Sequence, residues 1–170
     1  IAKMIATAAV RYFMIKFSRG KVIIFDIEEA LSFEGESGPY LQYAVVRANN
    51  IFRKLLERTD LDEAAIVGSL DSVPADCLAR GGGDDLWDLV FNAARLDEIV
   101  DQAIRSLEPS VLAKYAFGLA QAFNAFYHRH PIVNEAQADR QRWRAAAALY
   151  FKMQMTRALA VMGCEVPSRM

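Results

Sequence analysis

The 170 residues are 54 % hydrophobic, with a mean hydropathy of +0.09 and a formal net charge of −1, which leaves room for one core or one core with an appended fragment. No apolar run reaches the roughly 20 uncharged residues that span a bilayer, which excludes a membrane-spanning helix, and the near-neutral charge argues against indiscriminate nucleic-acid affinity. Cys77 and Cys164 lie far apart with no histidine at ligand-like spacing, so the sequence offers no zinc site and suits a reducing cytoplasm.

The first residue is Ile rather than Met, which fits a piece of a longer protein. Residues 1–17, rich in Ala, Met, Ile and Phe, predict a helix buried on much of its circumference and closed by Ser18-Arg19-Gly20. Arg11, Lys16 and Arg19 on that pattern favour a packed helix over a signal peptide. The β-branched run Lys21 to Phe25 reads as a strand or an extended link. Asp26 is placed to cap a short helix over 26–33, with Glu29 as its capping-box partner. After the turn-rich Glu34 to Gly38, Pro39 opens a helix running to about Arg58. Its core stripe is Leu41, Ala44, Val45, Ala48, Phe52 and Leu55. Tyr43, Arg47, Asn50 and Lys54 share another face, where an aromatic followed by cationic and amide groups suits a base and its phosphate, or equally a solvated surface.

Asp60 or Asp62 starts a short helix through Val67, and Gly68, Pro74 and Gly81-Gly82-Gly83 break the helical pattern beyond it. The triple glycine lacks the Lys-Ser/Thr of a phosphate-binding loop and reads as a connector. Helical pattern resumes at Asp84, with a bend or break at Arg95-Leu96-Asp97. Pro109 opens a helix to about Arg129 with Leu112, Tyr115, Leu119, Ala122, Phe123 and Phe126 inward. Asn134 and Gln137 read as a capping box for a last helix over 134–162, central to the bundle and stopped by Gly163.

The chain is organised around Phe123 to Pro131. This segment gathers an aromatic, Arg129 and both histidines, His128 and His130, at the end of an apolar helix. Bases stack on a ring such as Tyr127, and a guanidinium meets phosphate. The same groups also suit the negative end of a helix dipole. Residues 110–170 carry 8 Lys/Arg against 3 Asp/Glu, whereas residues 1–109 carry 12 against 18. That split predicts an electropositive surface on the C-terminal helices.

Three separated segments resemble one family. Gly38-Pro39-Tyr40-Leu41-Gln42-Tyr43-Ala44-Val45-Val46-Arg47 is similar to the Gly-Pro-Tyr-Leu-Gln-Tyr-Ala-x-x-Arg segment of arginyl-tRNA synthetases. Phe123-Asn124-Ala125-Phe126-Tyr127 and the terminal Val166-Pro167-Ser168-Arg169-Met170 match the same family in order and spacing. The resemblance covers nearly the whole chain. It implies an all-α fold: a helical-bundle anticodon-binding domain of the DALR type over 39–170, preceded by a connecting segment, 1–38, from the end of a catalytic domain. The implied partners are tRNA(Arg) and that catalytic domain in cis. Tyr43, Arg47, Tyr127 and Met170 fall on the family's anticodon-reading positions, and His130 is a weaker extension. Lys54, Arg129, Arg140 and Arg144 are candidates for the tRNA backbone.

The family binds ATP, with Mg2+, through a His-x-Gly-His segment and a Lys-Met-Ser-Lys loop. Neither is present, so the resemblance implies no cofactor, metal or catalytic residue in this chain, and no arginine activation by it alone. Two other readings compete. A helical protein-interaction module calls for an uncharged apolar patch in place of the Tyr43/Tyr127 platform. An enzyme using His128 or His130 as base needs an orienting carboxylate, and the nearby sequence offers Glu135 and Asp139.

Overall fold

A computed structural model describes residues 1–74 and 83–170. Within them the chain is all-α, with α1 (Ala2–Ile15), α2 (Ile27–Leu31), α3 (Gly38–Thr59), α4 (Glu63–Ser69), a 3-10 turn Leu70–Ser72, α5 (Gly83–Ala94), α6 (Leu96–Ser106), α7 (Pro109–Arg129) and α8 (Ala138–Val161). Cys77, Gly81 and Gly82 lie outside the described residues, whereas Gly83 is the first residue of α5.

Helix α8 is the axis of the bundle, with α3, α4, α5 and α7 packed around it. Its middle is apolar on every side, so Ala145, Ala147, Ala148, Leu149 and Phe151 all bury, as a helix surrounded by others requires. Leu112, Phe123, Leu149 and Leu159 meet in the core. At the far end Gly163 adopts φ +70°, its amide donates to Ala160 O, and the Cys164 amide donates to Leu159 O. This left-handed stop is the one glycine makes without a side-chain penalty. Cys164 is buried, and burial pushes its thiol up to about 11.

Side-chain caps start three of the described helices, α2, α3 and α4. Ser37 Oγ accepts from the Tyr40 amide at 3.2 Å, and Pro39 occupies the first turn of α3. Asp62, not Asp60, caps α4 by accepting from the Ala65 amide at 2.6 Å. Asp60 is left-handed, φ 55°, and closes α3 instead. Lys21 to Phe25 forms no strand; it is an extended link with Val22 92 % and Ile24 84 % exposed.

Two capping boxes are only half built. Asp26 accepts from the Glu28 and Glu29 amides at 2.8 and 3.1 Å, but the Glu29 carboxylate turns to Lys16 at 2.5 Å. The second box is absent, and α8 starts at Ala138 rather than Asn134. Asn134 Oδ1 accepts from Arg58 Nη1 at 2.7 Å, and the Gln137 side chain takes Arg140. In both boxes a cation takes the side chain that a local amide would have bound.

Gly38 sits where α3 starts against α1. A Cβ there would lie 2.2 Å from the Ala8 carbonyl oxygen, backbone that cannot swing away. Gly38→Ala is expected to destabilise the fold by about 1–3 kcal/mol through forced separation of α1 and α3. A chemical-denaturation midpoint equal to that of the wild type would contradict the close approach.

Candidate nucleic-acid interface

The candidate site forms where α3 passes α7. Burial of Leu41, Ala44, Val45 and Ala48 turns Tyr43, Arg47, Asn50 and Lys54 to the opposite side of α3. Tyr43 is 42 % exposed, Asn50 and Lys54 are exposed, and Arg47 is half-buried. From α7, Tyr127 comes to meet them. The Arg47 guanidinium carbon lies 5.1 Å from the Tyr127 ring centroid, and Arg47 Nη1 donates to Asn124 Oδ1 at 3.0 Å. The Tyr127 ring lies nearly parallel to Phe123, 6.2 Å away at 9°, and Phe123 stacks on Phe151 of α8 at 4.0 Å and 4°. A file of planar groups thus runs from the centre of the bundle to a cation at its edge. An aromatic surface beside a guanidinium suits an unstacked base with its phosphate.

At the end of α7 the chemistry differs. Asp85, near the start of α5, accepts from Arg129 Nη1 at 2.8 and 2.9 Å and lies 2.6 Å from His130 Nε2. These bonds, His130 first and then Arg129, hold the Asp85 carboxyl below its ordinary range. Such a carboxylate stabilises the fold above the unfolded carboxylate pKa, about 4, and that contribution is lost as pH falls through its depressed folded value. Asp85→Asn is therefore expected to lower Tm at neutral pH, leave the most acidic region in place and so flatten the acid limb of a Tm–pH profile. An unchanged acid limb would mean that the clip carries no linkage.

Solvent access corrects the basic surface drawn from composition. Arg144 is 7 % exposed at its side chain, donates to Glu135 Oε2 at 2.5 Å and to Pro131 O at 3.0 Å, and burial lowers its guanidinium pKa. It braces the turn between α7 and α8 and does not present itself to a phosphate. Arg140 is half-buried against Gln137 and Glu135. Arg129 with Asp85, Lys152 with Glu63 and Arg157 with Asp97 pair bases of the second half with acids of the first. Three of the eight cations of residues 110–170 thus pair with acids on α4, α5 and α6. Lys54 makes no ion pair or hydrogen bond among the described residues.

The DALR anticodon binding domain model matches residues 41–170. The chain belongs to this family. The DALR chain is 35 % identical to the arginine–tRNA ligase of Pyrococcus furiosus, over its whole length and 26 % of that protein. It is 33 % identical to the arginine–tRNA ligase of Lactococcus lactis subsp. cremoris, over its whole length and 28 % of that protein. The Thermus thermophilus arginyl-tRNA synthetase superposes with a TM-score of 0.82 at 29 % identity, over 99 % of this chain and 27 % of that one. The chain therefore spans about a quarter of the length of the relatives it matches.

Of the sequence-selected residues in this DALR chain, the structure brings Arg47 and Tyr127 into contact and sets Tyr43 on the same α3 face. It commits His130 and Arg129 to Asp85 and Arg144 to the interior. Met170 is 37 % exposed at the end of a tail that Gln42 pins. Gln42, fully buried, donates to Glu165 O at 2.6 Å and to Met4 O at 3.2 Å. Gln42 was missed as a site-building residue, although a glutamine within an apolar stripe is a signal that its amide has a partner.

Proposed function

We propose that the chain reads the anticodon loop of tRNA(Arg) as the anticodon-binding part of an arginine–tRNA ligase, which attaches arginine to tRNA(Arg) with ATP. The contact of Arg47 with Tyr127, from helices far apart in sequence, carries this reading, because it joins a ring face to a charge with no carboxylate partner among the described residues. Tyr43, Arg47 and Tyr127 meet the loop bases, Met170 closes the site from the pinned tail, and Lys54 faces phosphate. His130 and Arg129 contribute only where a phosphate exchanges with Asp85. ATP, with Mg2+, belongs to the ligase's catalytic domain, and this chain supplies no cofactor ligand or catalytic residue. Residues 39–170 act as the binding unit and residues 1–38 as the connection to the catalytic domain. Val10, Met14, Val22, Ile24, Ile27 and Phe33, each exposed, are the apolar side chains we assign to contact with that domain in cis. We assign this activity to the cytoplasm, where tRNA is charged for translation; no described helix is long and apolar enough to cross a membrane.

The protein-interaction alternative called for an uncharged apolar corner, and Arg47 stands there. An active-site histidine gains an orienting carboxylate, Asp85, but no described serine or cysteine bonds to the imidazole. The test is the dissociation constant for tRNA(Arg) and for the same tRNA with altered anticodon bases, at two salt concentrations. Affinity is expected to fall with salt, and Lys54→Gln to reduce the log–log slope by roughly 0.7–0.9 while leaving the anticodon preference in place. Equal affinity for both tRNAs would overturn the reading.

A further inference from the structure

We propose that Asn124 is a positioning residue for RNA recognition: its side-chain amide holds the Arg47 guanidinium against Tyr127 without neutralising it. The inference rests on the anticodon reading above and deepens it. A guanidinium has only donors, so the atom facing Arg47 Nη1 at 3.0 Å must be Asn124 Oδ1. The flipped amide would oppose two donors. That choice sends Asn124 Nδ2 to the other side, where it donates to Tyr40 Oη at 3.0 Å. Tyr40 in turn leans on Phe117 of α7, ring centroids 5.5 Å apart. Tyr40 and Arg47 stand about two turns apart on α3, and Asn124 spans the gap between them from α7.

The chemical type of the acceptor matters. Arg129 and Arg144 are each held by a carboxylate, Asp85 and Glu135, and their charge is spent inside the protein. Arg47 is held by a neutral amide and a ring. It therefore keeps its charge for an anionic ligand and has already lost much of the freedom that a long side chain surrenders on binding. Orientation without neutralisation is what a base-reading arginine beside a phosphate chain requires, and an amide supplies it.

The test uses the full chain with Arg47→Ala, Asn124→Ala, the double variant and Asn124→Asp. Each is titrated with tRNA(Arg) and with the altered-anticodon tRNA, and its melting is recorded. Asn124→Ala is expected to reduce the discrimination ratio about tenfold, as loss of a hydrogen bond to a charged group does. The double variant should lose no more than Arg47→Ala alone, because Asn124 acts through Arg47. Asn124→Asp keeps the acceptor but adds a charge. It should retain the ratio while weakening both tRNAs and lowering the salt slope by roughly 0.7–0.9. A purely structural role moves melting and leaves the ratio untouched, and that result, or additive losses in the double variant, overturns the inference. An unchanged ratio in Arg47→Ala overturns the anticodon reading and this inference together. Should Asn124→Ala fail to fold, Asn124→Asp decides alone: a wild-type salt slope counts against the inference.

Discussion

On the proposed reading, Tyr127→Ala is expected to weaken binding of tRNA(Arg) by about ten- to a hundredfold, the loss of a base–ring stack worth roughly 1–3 kcal/mol. The ring also packs on Phe123 and under Arg47, so its removal costs stability as well. The two effects separate by measurement. Tyr127 is half-buried, and the centre of the file, Phe123 on Phe151, stays in place without it. The melting temperature is therefore expected to fall modestly while the anticodon preference collapses. In the full-length ligase, arginine activation without tRNA is expected to stay near its wild-type rate, because the proposed reading gives Tyr127 a role in tRNA binding alone. A variant with lowered melting and an intact preference would show that the ring serves only the fold.

The second large effect lies at Arg144 and has the opposite signature. Arg144→Ala leaves the Pro131 carbonyl without this donor and the Glu135 carboxylate, itself mostly enclosed, with Arg140 at 3.7 Å. Breaking a buried pair from one side costs about 3–5 kcal/mol when the charge is left alone, and Arg140 beside Glu135 brings the expected loss to the lower end of that range. The expected outcome is a marked fall in the denaturation midpoint with the discrimination ratio of the remaining folded molecules preserved. The reading of Arg144 as a phosphate contact predicts the reverse: a stable variant that binds all tRNAs weakly.

This contrast shows where the sequence was legible. The core stripe of α3, Pro39 in its first turn, the break near Arg95 and the glycine stop at Gly163 follow from periodicity and local backbone chemistry. All of them stand in the structure. The Tyr43–Arg47–Lys54 face was legible for the same reason, because burial of one stripe fixes the direction of the other. The features that escaped were non-local. Asp85 lies 45 residues from His130, and nothing in either neighbourhood announces the clip. The excess of bases in the second half looked like a surface because sequence does not reveal which charges meet across helices. The Asn134–Gln137 box had the right spacing, but Arg58 reached Asn134 from another helix. A local cap worth about 1 kcal/mol yields readily to a tertiary contact of similar size.

The central claim is that the corner of α3 and α7 receives the anticodon loop. It is tested most directly by photocrosslinking tRNA(Arg) that carries 4-thiouridine in that loop to the protein, followed by peptide mapping. Crosslinks are expected within residues 40–54 and 123–130 and are lost when the loop is moved to an unrelated hairpin. A second apolar surface, Trp87 and Phe91 of α5 with Trp143 of α8, offers the loop an aromatic alternative. Crosslinks confined to that surface, with none on α3 or on the end of α7, would contradict the account.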